Sequence, residues 1–205
     1  MSGFNPKRKN PQYDTLIVGG IPPNATIRKP ISVDNLQDSI ETEKFDYCST
    51  FFLYPPKLFG HENLSAYNGR YTAEYFPIDV DDKDLDQAQK KSQNIINKLE
   101  YELEVDVSQL EYYFSGNKGF HITIPSEMFG GFEPSRDLVD KFKYIHQTLD
   151  IPSDPKIYAN KQLLRLPNTY HSKGRAFKIP LTYNEIMGMK TTEVRRISQT
   201  TRKLD

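Results

Sequence analysis

Apolar and polar positions alternate in two ways along this chain, and the alternation divides it into strands and helices. Tyr75-Phe76-Pro77-Ile78-Asp79-Val80-Asp81 has the two-residue period of a strand, with Asp79 and Asp81 on one face and Ile78 and Val80 on the other. Tyr71 to Val80 as a whole is bounded upstream by the Asn68-Gly69 turn signal. Leu110 to Phe114 and Ile122 to Ile124 read as the arms of a hairpin whose polar tip is Ser115-Gly116-Asn117-Lys118-Gly119-Phe120-His121. Helical spacing takes over from Lys83 to Leu103, where Leu85, Ala88, Ile95, Leu99 and Leu103 form one stripe and Lys90, Lys91 and Lys98 stay in water. Asp82 is the expected N-cap of that helix. Ser135 is expected to cap a second one, whose inward positions are Leu138, Phe142, Ile145 and Leu149.

Shorter signals fill the rest. Thr15 to Val18 before Gly19-Gly20, and the run from Ser49 to Tyr54, predict strands; so do Lys156-Ile157-Tyr158, Gln162 to Leu166 and Lys178 to Leu181. Thr182-Tyr183-Asn184-Glu185 is a capping box that opens a short helix, and Val194 with Ile197 supports a last helix toward Arg202. Met1 to Asn10, with Lys7, Arg8 and Lys9, reads as a solvated terminus.

Composition narrows the class. The 205 residues are 37% hydrophobic and 12% aromatic, which is globular and enough for an ordinary core. Twenty-seven basic residues balance 27 acidic ones, so net charge advertises no polyanion partner. Its distribution does: acids crowd Asp79 to Asp86, whereas Lys156, Lys161, Arg165, Lys173, Arg175 and Lys178 follow one another with no carboxylate between Asp154 and Glu185. The single cysteine, Cys48, excludes an internal disulfide and a cysteine-built zinc site, and fits a reducing cytoplasm. No apolar run approaches the ~20 residues a bilayer requires, so no membrane partner is expected.

Chemistry concentrates in the first strand and the hairpin tip. Two carboxylates on one strand face repel unless a hard cation lies between them, and oxygen-only ligation suits Mg²⁺ or Mn²⁺. The hairpin tip offers two glycines that let backbone N–H groups approach an anion, with the Ser115 hydroxyl, the Lys118 ammonium and the His121 imidazole beside them. An EF-hand fails on Asp82, Asp84 and Asp86, because Gln87 stands at the glycine position and Gln93 where a bidentate Glu is needed. No P-loop signature is present, so these residues contain no helicase motor of that kind.

Asp79-Val80-Asp81 and Ser115-Gly116-Asn117-Lys118-Gly119-Phe120-His121 resemble the first and second motifs of the archaeo-eukaryotic primase, or primase-polymerase, superfamily. Asp154-Pro155-Lys156-Ile157-Tyr158, followed by Leu164-Arg165-Leu166-Pro167-Asn168 and His171-Ser172-Lys173, resembles that family's third carboxylate and the basic segment after it. Ser153 departs from the apolar residue usual before that third acid. The likeness runs from about Tyr71 to Arg202 and is nearest the small primase domains of phages, plasmids and other mobile elements.

The resemblance implies an α+β fold with a mostly antiparallel sheet, packed helices and an active-site cleft between two subdomains. Residues 1–70 would form the N-terminal part and residues 71–205 the core of one compact domain. It implies a DNA primase or primase-polymerase that adds nucleotides with two Mg²⁺ or Mn²⁺ ions held by Asp79, Asp81 and Asp154. Ser115, Gly116, Lys118, His121, Arg165, His171 and Lys173 would hold the nucleotide. Single-stranded DNA template, nucleoside triphosphates and a separate helicase are the implied partners. Two other readings stand beside it: a metal-dependent nuclease or phosphodiesterase, and a non-catalytic single-strand or nucleotide-binding module.

Overall fold

The computed structural model describes residues 12–20, 28–39, 46–56, 67–159 and 161–204; the basic stretch Lys7 to Lys9 lies outside them. The chain opens with β1 (Thr15–Gly19) and β2 (Lys29–Ser32), then a short helix α1 (Leu36–Ser39) and the brief strands β3 (Cys48–Ser49), β4 (Phe52–Leu53) and β5 (Thr72–Ala73). Next come β6 (Tyr75–Asp81), α2 (Leu85–Asn97), β7 (Glu111–Phe114), β8 (Gly119–Pro125) and α3 (Leu138–Leu149). The C-terminal third holds β9 (Leu164–Arg165), β10 (Tyr170–His171), β11 (Ala176–Phe177), β12 (Ile179–Leu181), α4 (Tyr183–Gly188) and α5 (Thr191–Ile197).

Two four-stranded antiparallel sheets dominate. One runs β12-β7-β8-β6; the other runs β2-β1-β3-β9, so that a strand from late in the chain completes a sheet begun near its start. The small pairs β4-β5 and β10-β11 flank them.

The first of these sheets has two unlike faces because alternation is kept on all four strands. Phe76, Ile78 and Val80 from β6, Phe120, Ile122 and Ile124 from β8, Tyr112 and Phe114 from β7, and Ile179 and Leu181 from β12 are all buried. They share one core cluster with Leu85, Ala88, Ile95 and Leu99 of the α2 stripe. Aromatic rings close this core, with Phe142 of α3 lying within 6 Å of Phe51, Phe52, Phe76 and Phe132. Truncating Phe142 to Ala would cost about 3–5 kcal/mol. The opposite face of the sheet is polar and carries the chemistry.

Several local expectations are corrected, each for a physical reason. The N-cap of α2 is Asp84, whose side chain accepts from the Asp86 N–H. Asp82 is still tied to the sheet through its N–H to the Lys118 carbonyl, while its carboxylate takes the Asp84 N–H and pairs with Lys91 at 2.6 Å. Beyond Asn97 the helix widens into a π turn, Lys98–Glu102, closed by the Leu103 N–H to the Lys98 carbonyl. Five-residue spacing rotates the stripe, and Leu103, expected inside, is 41% exposed.

Ser135 exchanges backbone hydrogen bonds with Tyr71, so α3 starts later, after Asp137. Lys156-Ile157-Tyr158 is no strand: Pro155–Ile157 is a 3₁₀ turn. The Thr182/Glu185 capping box forms as expected, and α5 stops at Ile197.

Candidate active site

Asp79, His121, Tyr113 and Pro180 stand in one row across β6, β8, β7 and β12, because the register pairs each with the next. Residues directly opposite in antiparallel strands point to the same side. Asp81 shares that face and pairs with Gly119, whose lack of a Cβ is required: one built there would collide with the Asp81 Oδ1 and the Val80 carbonyl. Lys178 enters at the start of β12 on the same face, with its Nζ 4.6 Å from the centre of the Tyr113 ring.

Burial sets the electrostatics. The Asp79 side chain is 22% exposed, and its Oδ1 is buried with no hydrogen-bond partner among the described residues. Desolvation, reinforced by the Asp81 and Asp154 carboxylates, pushes its pKa up to about 7. Lys178 is 5% exposed and donates to the Arg165 carbonyl at 2.8 Å; desolvation pulls its pKa down to about 7, although Asp79 opposes the fall. His121 is buried, with Nε2 3.4 Å from the Asp79 Oδ1. Desolvation, then the nearby Lys178 and Arg165 cations, hold it well below the ordinary histidine range, so its imidazole is neutral.

The hairpin tip is compact. The Ser115 hydroxyl oxygen accepts the Gly119 N–H at 3.2 Å and the Asn117 N–H at 3.4 Å, which leaves its own proton to donate. Gly116 adopts φ 87°, in the left-handed region, with His171 Cβ and the Ala176 carbonyl close to where a side chain would start. Lys118 is exposed and pairs with Asp81 at 3.0 Å; that carboxylate raises its pKa.

Asp154 lies at the head of the 3₁₀ turn that replaces the expected strand at Lys156-Ile157-Tyr158. Its carboxylate caps Pro155–Ile157 by accepting the Lys156 N–H at 2.9 Å. The turn is fixed to β6 because the buried Tyr158 hydroxyl donates to the Pro77 carbonyl at 2.8 Å, two residues before Asp79. The Arg165 head group donates to Asp46 at 2.8 Å and to the Tyr170 carbonyl at 3.0 Å. Asp46 also accepts the Ser172 N–H and lies 3.9 Å from His171. Burial alone would raise its pKa, but the Ser172 hydrogen bonds and the Arg165 guanidinium together hold it below the usual range. Lys173 is exposed on the same loop.

Two residues of this constellation escape a reading by motif. Lys178 reads in the sequence only as the last cation of the basic run, leading a strand whose alternate residues are apolar. Asp46 lies 119 positions from Arg165, and nothing local marks it.

Asp79 and Asp81 are adjacent, hard and mutually destabilising, Asp79 has an orphaned buried oxygen, and Lys118 already supplies a counter-charge to Asp81. Among the described residues no group of three or more His, Cys, Asp or Glu side chains is gathered closely enough to cage an ion. The acid pair is of the kind that Mg²⁺ or Mn²⁺ take, one or two carboxylates with the shell completed by water and substrate phosphates.

The mixed helices and antiparallel sheets resemble, as a fold, a primase-polymerase AEP domain. The chain superposes on the primase-polymerase of cyanophage S-2L, over its AEP domain, with a TM-score of 0.50. Identity is 10%, and the alignment covers 91% of this chain and 89% of that one, so the likeness is one of fold. No family profile and no curated protein matches the sequence. No helix among the described residues is long and apolar enough to cross a membrane.

Proposed function

We propose that this chain is a template-directed nucleotidyltransferase, the catalytic domain of a DNA primase or primase-polymerase. The observation that carries the reading is the row Asp79 to His121 on the polar sheet face, with Asp81 beside it and the glycine hairpin closing over its end.

Asp79 and Asp81 are the groups that would hold a pair of Mg²⁺ or Mn²⁺ ions, with Asp154 as the third carboxylate. The chemistry such ions supply when bound is charge neutralisation on the triphosphate, activation of the attacking 3′-hydroxyl and stabilisation of departing pyrophosphate. The rest is done by the chain. Ser115 donates its hydroxyl proton, the Gly116 region offers backbone N–H groups, and Lys118 supplies a mobile point charge to the triphosphate. Neutral His121 donates one N–H to a phosphate oxygen, and being buried it reaches that oxygen without competition from water. Asp46 fixes Arg165 and the loop bearing His171 and Lys173, a loop that lies against the hairpin tip at Gly116, so that these three cationic or polar groups join the hairpin in facing the nucleotide. Single-stranded DNA is the template, and a helicase, on another chain or on a longer parent protein, is the working partner.

The test is incorporation of labelled ribo- or deoxyribonucleotide on single-stranded DNA, primed and unprimed, with Mg²⁺ or Mn²⁺. Extension by wild type and none by Asp79→Asn is the expected result. Shortening of a pre-labelled strand without incorporation would replace the reading with a nuclease.

A further inference from the structure

Two hairpin tips meet beside Asp81. One is the Ser115–Gly119 turn between β7 and β8; the other is the turn at 172–175 between β10 and β11. They touch backbone to backbone: a Cβ on Gly174 would collide with the Gly116 carbonyl oxygen and lie 2.7 Å from Asn117 Cα. Cations gather at this junction although the whole chain is neutral, 27 basic against 27 acidic residues. Lys118 sits on the first tip, Lys173 and Arg175 on the second, and all three are exposed.

The fourth cation is Arg195 of α5. Its guanidinium donates to the Asn117 carbonyl at 2.8 Å and lies 5.8 Å over the Phe114 ring. It is therefore held in place on the first tip before any ligand arrives, which lowers the entropic cost of using it. Among the described residues only Lys118 of the four has a carboxylate within ion-pair reach, Asp81 at 3.0 Å. Arg175 is also held in an expensive backbone shape. Its φ is 52°, in the left-handed region where glycine is at home, and its N–H donates to the His171 carbonyl at 2.7 Å.

We propose that the joined tips are the surface that binds the phosphodiester backbone of single-stranded nucleic acid, with Arg175 and Arg195 as its anchors outside the nucleotide pocket. The proposal rests on the polymerase reading for its choice of strand. A series of cations on adjoining loops, next to the acid pair, offers several separate contacts to the phosphates of a nucleic-acid backbone. A lipid surface would call for apolar anchors alongside; the exposed large apolar side chains among the described residues, Tyr101, Leu103 and Tyr144, lie past the end of α2 and on α3.

The experiment is fluorescence anisotropy of a labelled oligothymidylate over a salt series, with no nucleotide or divalent ion, for wild type, Arg175→Gly, Arg195→Gln and the double variant. Glycine suits the backbone at 175, and glutamine keeps a donor for the Asn117 carbonyl, so both variants retain the fold. Each is expected to bind about 5- to 10-fold more weakly at low salt and to flatten the slope of log K against log salt by about 0.7. Nucleotide binding without DNA stays unchanged. Equal affinity and slope in the double variant overturn the proposal, as does preferential binding of phosphatidylserine vesicles over the oligonucleotide. Wild type that binds through these arginines yet incorporates no nucleotide overturns the polymerase reading alone. Incorporation with undiminished binding by the double variant overturns this surface alone.

Discussion

His121 Nε2 lies 3.4 Å from Asp79 Oδ1 across the β6-β8 register, and the two groups are buried together without a hydrogen bond between them. An imidazole held neutral beside a carboxyl that is half protonated near pH 7 is an unfinished arrangement, one that a phosphate oxygen and a cation would complete.

Replacing His121 by Asn should therefore act on nucleotide more than on template. The lost donor is one hydrogen bond to a charged oxygen, on the order of 1.5–3 kcal/mol, or about 10- to 100-fold in nucleotide affinity. Titrating a fluorescent nucleoside triphosphate and a single-stranded oligonucleotide separately checks it. An unchanged nucleotide constant would remove His121 from the phosphate site.

The same burial makes stability depend on pH in two opposed limbs. Asp79 titrates near 7 in the fold against 3.8 as its ordinary value, so between these values the folded chain holds a proton that the unfolded chain has lost. Its contribution to stability thus falls as pH rises from about 4 to 7, while His121, held neutral in the fold below its ordinary 6.5, offsets part of that fall. Lys178 titrates near 7 against 10.5, so from 7 upward the unfolded chain holds the extra proton and stability climbs. Each limb amounts to on the order of 4 kcal/mol at most. Urea unfolding with a chelator present should show a minimum around neutral pH, steeper on its alkaline side. Asp79→Asn should remove the acid limb, and Lys178→Met the alkaline one. A flat profile for wild type would show that neither group is buried as described.

How much of this was legible beforehand follows from which forces act locally. The β6 acid pair, the β7-β8 hairpin and the α2 and α3 stripes could be read because period and turn chemistry are written in neighbouring residues. The Thr182/Glu185 box could be read for the same reason. The places that went otherwise are governed from afar. Asp82 fails as a cap because Lys118 and Lys91 hold it, and Leu103 turns outward because a π turn rotates the helix. Lys178 becomes chemically unusual only through the rings and strands stacked over it, and Asp46 matters only where a distant Arg165 meets it.

Divalent ions should stabilise the fold through the acid pair. Binding to the native state raises stability by RT ln(1 + [L]/Kd), about 2.7 kcal/mol at a hundredfold excess over Kd. Calorimetry with Mn²⁺ added should show a rising Tm, larger with a nucleoside triphosphate present and absent in the Asp79→Asn, Asp81→Asn double variant. Since that variant also loses like-charge repulsion, its Tm without metal should equal or exceed that of wild type. A metal-independent Tm in wild type would leave the two carboxylates without their assigned ligand.

Gly174→Ala tests whether the two tips work as one unit. A methyl group there meets backbone, the Gly116 carbonyl and Asn117 Cα, and neither can swing aside as a side chain could. The hairpins must part, and with them the His171 loop that Asp46 anchors through Ser172. Overpacking of this kind costs roughly 1–3 kcal/mol when the fold survives. The loss should show as a lower Tm together with nucleotide binding weakened at least as much as in His121→Asn, because Ser115, Gly116 and His171 all shift. Serine at the same position should behave alike, since the obstruction begins at Cβ. Full nucleotide affinity in Gly174→Ala would mean that the β10-β11 tip merely lies against the site and takes no part in shaping it.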